Sequence, residues 1–388
     1  MALSFEVLAT DGEARRGRLQ TAHGVIETPA FMPVGTLGAV KGLTVQELED
    51  AGASVMLANL YHLTLRPGID VIEELGGIHA FTGWNRPILT DSGGYQVWSL
   101  SPLRKIDPDG VTFRSHLDGS TVRFTPESVA LSQARMGVDI AMVLDECPPH
   151  SISEKEAATS LELTNRWAER ARRVWPKDAT GGLFGIAQGS SFEHLRRRAA
   201  EELTALDFDG YAIGGVSVGE GIEYRRRAVE WTAPALPTHK PRYLMGLGTP
   251  LDLLHGVQHG VDLFDCVMPS RHARHGAIFT HDGVIKIKNA RYRNDPSPID
   301  PHSSWPLAGR YSRAFLHHLF KSREITASVI ATLVNIRFYL DFMAELREGA
   351  ESGSLADLAA DVRRRFGSDD RPGQTGRSAS DQPDGSSA

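Results

Sequence analysis

LFDCVMPSRHARHG, residues Leu263 to Gly276, opens as a short apolar strand and places an acid, Asp265, and a thiol, Cys266, where the strand runs out. Met268 and Pro269 end it, and Arg271, His272, Arg274 and His275 follow. A carboxylate at a strand end with cations just beyond suits an acid working beside a polyanion. The cations continue downstream, where Arg271, Arg274, Lys286, Lys288, Arg291 and Arg293 stand against the single acid Asp282. In a chain of net charge −6 this is a concentrated basic patch, suited to local phosphate contact rather than wholesale nucleic-acid binding.

Upstream, similar apolar runs recur with helical material between them. They are Phe31–Val34, Val55–Asn59, Ile88–Asp91, Ile140–Asp145, Leu183–Gln188, Gly210–Gly214 and Tyr243–Gly246, and Leu263–Val267 makes the eighth. The helices announce their starts. Ser153 with Glu156 and Thr44 with Glu47 form capping boxes, and Thr125-Pro126 and Thr249-Pro250 each set an N-cap before a first-turn proline. Eight strands alternating with helices predict an α/β fold, a parallel sheet closed as a (β/α)8 TIM barrel. A doubly wound open sheet is the alternative, and no G-x-G-x-x-G after a first strand supports it.

Additions surround the barrel. Residues 4–31 predict an N-terminal β-hairpin cap, and Val111–Arg114 with Thr121–Phe124 a hairpin between the third and fourth strands. A large insertion follows the eighth strand, from about 276 to 349. It holds short strands at Ala277–Thr280 and Val284–Lys288, a proline-rich loop to Pro306, and helices beginning near Ser312 and Thr326. One catalytic domain is expected over 1–366, with a disordered tail over 367–388 that lacks apolar periodicity.

Composition limits the alternatives. The chain has 388 residues, 41% hydrophobic and 23% charged, as in ordinary globular proteins. No apolar run approaches the ~20 residues that span a bilayer, and no secretory signal is visible, so no membrane association is expected. Two cysteines, Cys147 and Cys266, give neither a disulfide framework nor a C-x-x-C metal spacing, which points to a reducing cytoplasm.

In such a barrel the chemistry sits at the C-terminal ends of the strands. The third strand ends in Asp91-Ser92-Gly93-Gly94-Tyr95-Gln96, the fourth in Asp145-Glu146-Cys147, the fifth in Gln188-Gly189-Ser190 and the sixth in Gly214-Gly215. The seventh gives Met245-Gly246-Leu247-Gly248 and the eighth Asp265-Cys266. Three aspartates converging on one rim can cleave a glycosidic bond, one as nucleophile and one as general acid/base. Gln188, a third acid and the Gly215 backbone can read a heterocycle's edge, while Tyr95 and Met245 cover its faces. Thiol catalysis by Cys147 or Cys266, with His150 or His272 as base, is the weaker alternative, and both thiols are read as packing.

Six motifs taken together resemble the tRNA-guanine transglycosylases. They are TDSGGYQV (Thr90–Val97), LDECPP (Leu144–Pro149), GIAQGS (Gly185–Ser190), YAIGGVSVGE (Tyr211–Glu220), YLMGLGTP (Tyr243–Pro250) and FDCVMPSRHARHG (Phe264–Gly276). The resemblance covers about residues 4–348. It implies exchange of guanine at the wobble position of a tRNA with a GUN anticodon for a 7-deazaguanine, in queuosine biosynthesis. Asp265 would attack C1′ and hold the ribose covalently, and Asp91 would be the general acid/base. Asp145, Gln188 and Gly215 would bind the base edge, with Ser92, Gly93, Gly94, Tyr95 and Met245 completing the pocket. Gly246-Leu247-Gly248-Thr249-Pro250-Leu251-Asp252 and Ser270-Arg271-His272-Ala273-Arg274 match the family's RNA-contacting segments. Cys147 and Val218 resemble the bacterial form that accepts the aminomethyl base preQ1, although Ser217 stands where bacterial members often have alanine.

No redox or nucleotide cofactor is implied. The family carries a structural zinc on three cysteines and a histidine, whereas this chain aligns Ser303, Trp305, Ala308 and Val334 with those positions. Zinc is therefore expected to be absent, with Trp305, Pro306, Leu307 and Val334 filling the space. The family's homodimer, through this subdomain, leaves Tyr311, Phe315 and His318 as contact residues. Two other readings stay open: a non-catalytic RNA-binding partner subunit, and a paralogue acting on other nucleic acid or a free nucleoside.

Overall fold

The computed structural model describes residues 3–100, 104–216 and 218–367. Ser217 and the expected tail beyond Gly367 lie outside the described residues. Eight parallel strands form one sheet: β1 (Ala30–Pro33), β2 (Met56–Asn59), β3 (Ile88–Asp91), β4 (Ile140–Met142), β5 (Gly182–Ala187), β6 (Gly210–Ile213), β7 (Arg242–Leu244) and β8 (Leu263–Cys266). From β2 to β8 each strand pairs with the next in sequence, and β8 pairs back onto β1. A parallel bridge from Val34 to Leu57, with Gly35 N–H donating to Leu57 O at 2.7 Å, closes the last gap between β1 and β2. The sheet is a barrel, as the alternation of elements predicts.

Six of the eight strands are buried at every residue, which only both-face packing allows. The exceptions are informative: Asp91 ends β3 and Asp265 lies near the end of β8, and each is partly exposed. The outer helices start where their caps predict. Thr44, Thr125, Ser153 and Thr249 all accept an N3 backbone N–H, and each receives a reciprocal side-chain bond at its own N–H.

Both antiparallel additions are one strand larger than expected. The N-terminal cap is a three-stranded sheet, Ser4–Asp11, Ala14–Thr21 and Gly24–Thr28. The insertion after β3 adds Arg104–Asp107 to Gly110–Arg114 and Thr121–Phe124. Arg-rich ARRGRLQT and RKID lack the apolar alternation that marks a strand, so their pairing is set by neighbours rather than by pattern.

The insertion after β8 begins with a helix, Met268–Arg274, then a hairpin of Ala277–Thr280 and Gly283–Lys286. Helices Pro306–Arg310, Arg313–Lys321, Ile325–Ser352 and Leu355–Phe366 follow, the third running past the expected boundary at 349. Ile325–Ser352 also corrects the composition argument, because it is long and apolar enough to cross a membrane. Its most apolar stretch is 61% buried against the barrel and the hairpin, which makes it a core helix here.

Candidate active site

The rim residues fall into two hydrogen-bonded groups. In the first, Asp91 at the end of β3 accepts from the side chain of Asn59, directly across the register on β2, and from Leu60 N–H at 3.1 Å. Asp265 on β8 accepts from the Tyr243 phenol at 2.6 Å and from Gly246 N–H at 2.8 Å. Burial pushes Asp91 up to about 7; Asn59 and Leu60 oppose the rise and the charge of Asp265 adds to it. Asp265 is also raised by burial, with Tyr243 and Gly246 holding it back. The two carboxylates therefore sense each other while differing in environment, the arrangement that separates acid and nucleophile roles.

The second group is a buried chain. Asp145 accepts from Ser92 Oγ at 3.2 Å and from Gln188 Nε2 at 2.7 Å, and burial raises its carboxyl to about 6. Gln188 Oε1 is buried without a partner. The glycines make room for this chain. A Cβ at Gly94 would come within 2.7 Å of Asp145, and one at Gly215, where φ is +61°, within 2.2 Å of Gln188 Oε1. Gly93 likewise turns with φ +81°, against Tyr61. Tyr95 is 44% exposed at the rim and Met245 is half-buried, so both stand where a planar ligand could be covered.

A cavity of 660 Å³ opens beside this chain, lined by its Gly94 and Asp145 together with Cys147. It extends toward Arg104, Lys155 and Trp167 and does not reach Asp91 or Asp265. The acid pair, with its charge coupling, marks the reacting point better than this hollow does.

Sequence reasoning missed three contributors. Asn59 and Tyr243 orient the two acids, and Asn59 is a polar strand end that the same rule would have selected. Arg196, fully buried, donates to Ser190 O at 2.8 Å, Ala187 O at 3.3 Å, Gly214 O at 2.6 Å and Gly215 O at 3.1 Å. One guanidinium thus ties the ends of β5 and β6, where Gln188 and Gly215 sit. Burial pulls it down to about 10, still cationic at neutral pH.

Both thiols are buried and shifted upward, by burial first and then by Asp145 for Cys147 and Asp265 for Cys266; Cys266 reaches about 12. Neither forms thiolate near neutrality, in keeping with their reading as packing.

The two expected RNA-contacting segments flank the acids unevenly. Gly246 is exposed and Thr249 half-buried, whereas Leu247, Gly248, Pro250, Leu251 and Asp252 are buried, and Asp252 is taken up in the Thr249 capping box. Arg271 is exposed, His272 and Arg274 half-buried, and Ser270 and Ala273 buried, so the helix turns its cations outward. Among the described residues, neither arginine pairs with an acid.

The residues at the zinc positions do not fit a metal. Ala308 and Val334 are buried with Ile299 and Leu316 in an apolar cluster, and Ser303 Oγ accepts Trp305 N–H at 3.3 Å. Trp305 and Leu307 are partly buried, but Pro306 is exposed at the first turn of its helix and takes no part in the filling. Among the described residues, the groups with ligand-like spacing, His23–His79–Asp139 and Glu230–His255–His259, lie elsewhere.

A closed (β/α)8 barrel with three carboxylates and a basic helix at its C-terminal rim is an enzyme of that rim. Comparison with known proteins places it further. Residues 11–368 match the family described as Queuine tRNA-ribosyltransferase. Proteins of that name from Desulforudis audaxviator and Aromatoleum aromaticum are each 51% identical, over 90% and 93% of this chain and 94% and 98% of theirs. One from Oleidesulfovibrio alaskensis is 49% identical over 91% of this chain and 94% of its own. The chain belongs to the queuine tRNA-ribosyltransferase family.

Proposed function

We propose that this enzyme, a tRNA-guanine transglycosylase of queuosine biosynthesis, exchanges the wobble guanine of tRNAs with a GUN anticodon for preQ1. The observation that carries the reading is the pair Asp91 and Asp265, held on separate strands by separate donors and coupled by charge. Asp265, ionised and aimed by Tyr243 and Gly246, attacks C1′ of the flipped nucleotide. The C1′–N9 bond breaks, its electron pair goes to guanine, and Asp91 supplies the proton. The incoming base then gives a proton to Asp91 and attacks C1′, expelling Asp265. Two inversions give net retention.

The coupling helps both steps. While Asp265 is anionic it raises Asp91 and keeps the acid protonated. Ester formation removes that charge, so Asp91 releases its proton more readily as guanine departs. Freeing Asp265 in the second half restores the charge and favours proton uptake by Asp91.

Asp145 accepts N–H groups of the base edge, and Gln188 and the Gly215 N–H meet its carbonyl. Ser92, Gly93, Gly94, Tyr95 and Met245 shape the slot. Arg271 and Arg274 meet anticodon phosphates, with His272, Gly246 and Thr249 beside them. Extruding the target base costs a few kcal/mol, which these backbone contacts offset. Cys147 and Val218 support preQ1 over queuine. Exposed Phe315, stacked on Tyr311 at 5.5 Å, with His318 exposed beside it, supports a homodimer through the inserted subdomain. We infer no structural zinc, because the apolar cluster around Val334 occupies its place, and a cytoplasmic location, where the tRNA is.

Intact acids at all three positions argue against a non-catalytic partner. The test is incorporation of labelled guanine into bulk tRNA by wild type and by Asp265→Asn. Incorporation by wild type alone is expected, and no incorporation by wild type sinks the catalytic reading. Incorporation into tRNA altered at the wobble position would favour a different nucleic-acid target.

A further inference from the structure

The long helix Ile325–Ser352 reaches both RNA-contacting segments through two polar side chains one turn apart. Asn335 is fully buried and spends its whole amide on the helix that carries the first segment and on the strand that follows it. Its Nδ2 donates to Pro269 O at 2.9 Å, inside the helix Met268–Arg274, and to Ala277 O at 3.0 Å, just beyond it. Its Oδ1 accepts Phe279 N–H at 2.8 Å. Tyr339 is also fully buried, and its phenol donates to Gly248 O at 2.6 Å, in the second segment. Between them, the Phe279 ring lies parallel to that of His272 at 6.0 Å and edge-on to Tyr339 at 5.2 Å.

We infer that Asn335 and Tyr339 are positioning residues for tRNA, holding the Arg271–Arg274 helix and the Gly246–Thr249 loop at a fixed separation on either side of Asp265. The inference rests on the RNA-binding role proposed for those segments. The geometry is hard to explain as generic core filling. A buried amide must find partners, and this one finds three, on the helix that carries Arg271 and Arg274 and on the strand just after it. The tyrosine supplies a single donor to the carbonyl of Gly248, whose backbone is so close to Cys266 that an added Cβ would lie 2.4 Å from that side chain. The neighbour of Asn335 on the helix is Val334, buried in the apolar cluster that replaces the zinc ligands. The support for the RNA face is therefore direct, from helix amide to helix carbonyl, and needs no metal behind it.

Tyr339→Phe is the decisive variant, because it keeps the ring packing and removes one hydroxyl. We expect KM and Kd for tRNA to rise about three- to tenfold, the scale of one lost hydrogen bond to a buried carbonyl. The KM for guanine and kcat at saturating tRNA should stay near wild type, and the melting temperature should fall by only about 2–4 °C. Asn335→Asp, which turns a donor into an acceptor against two carbonyls, should act in the same direction and more strongly. An unchanged tRNA affinity in Tyr339→Phe overturns the inference. So does a loss in kcat and melting temperature with tRNA affinity intact, which would mark a structural role only. If wild type itself incorporates no guanine into tRNA, the functional reading fails instead, and the two failures are thereby told apart.

Discussion

Tyr243 and Asp265 share a 2.6 Å hydrogen bond across neighbouring strands β7 and β8, the phenol donating to the carboxylate oxygen that also receives Gly246 N–H. Burial beside the two acids Asp265 and Asp91 pushes the phenol well above its usual range, so it remains a donor at every working pH. One carboxylate oxygen is thereby fixed and the other left to react. The same donors keep Asp265 from rising as far as its burial would take it.

Tyr243→Phe removes the stronger of these donors without emptying the space. Asp265 should then titrate higher, because a bond to its charged form is lost. The acid limb of kcat/KM should move to higher pH, and kcat at pH 7.5 should fall about 10- to 100-fold, the scale of one hydrogen bond to a charged group. A pH–rate profile of exchange checks this, and an unmoved acid limb would contradict it.

How much of this was legible beforehand differs by residue. Asp91, Asp145 and Asp265 stood out because parallel strands are buried on both faces, so an acid at a strand end breaks the pattern. Strand limits came within three residues for the same reason. Tyr243 gave no such signal, since an aromatic suits a strand interior as well as a site. Arg196 was hidden in a run of three arginines that reads as a solvated helix face, yet it shares a stripe with Ala199, Ala200 and Leu203, all buried. That placement at i−3, i−4 and i−7 was a usable signal. The core role of Ile325–Ser352 needed the fold, because length and apolarity suit a buried helix and a membrane span alike.

Asp91 ties activity to a cost in stability. Its folded value of about 7 exceeds the ordinary 3.8, so between these pH values the folded state binds more protons than the unfolded chain. Stability contributed by the protonated form is therefore present at low pH and declines as pH rises from about 4 to about 7. Asp91→Asn carries no charge to bury and should melt about 2–4 °C above wild type at pH 8, on a per-kcal scale suited to a large domain. The gap should narrow as pH falls and close near pH 4, where Asp91 is protonated in folded and unfolded chain alike, and exchange should be lost. Melting curves at the two pH values test it, and a gap independent of pH would be inconsistent with the argument.

Arg196 holds four backbone carbonyls at the ends of β5 and β6. Arg196→Met fills the volume but leaves those carbonyls without their donor in a buried site, a change in the 1–3 kcal/mol class per orphaned group. Gln188 and Gly215 would lose their fixed relation, so KM for the base should rise about tenfold or more while tRNA affinity changes little. Arg196→Lys, which offers one point donor in place of a fork, should recover only part. Steady-state kinetics in guanine and in tRNA separate the two effects, and a variant with wild-type KM for guanine would remove Arg196 from the site.

Metal removal tests the inferred absence of structural zinc. Ala308 and Val334 offer no donor atom and are buried in one apolar cluster with Ile299 and Leu316. Structural zinc in small domains supplies about 10–16 kcal/mol of folding free energy, so its loss from a dependent protein is unmistakable. Here, protein purified without added zinc should contain well under one equivalent. Incubation with EDTA should leave the melting temperature and guanine exchange unchanged. Val334→Asp, which places a charge within the apolar cluster beside Asn335, should lower the melting temperature strongly, as an unpaired buried charge does. One tightly held equivalent of zinc in the wild-type protein, with unfolding on chelation, would show that the subdomain found other ligands.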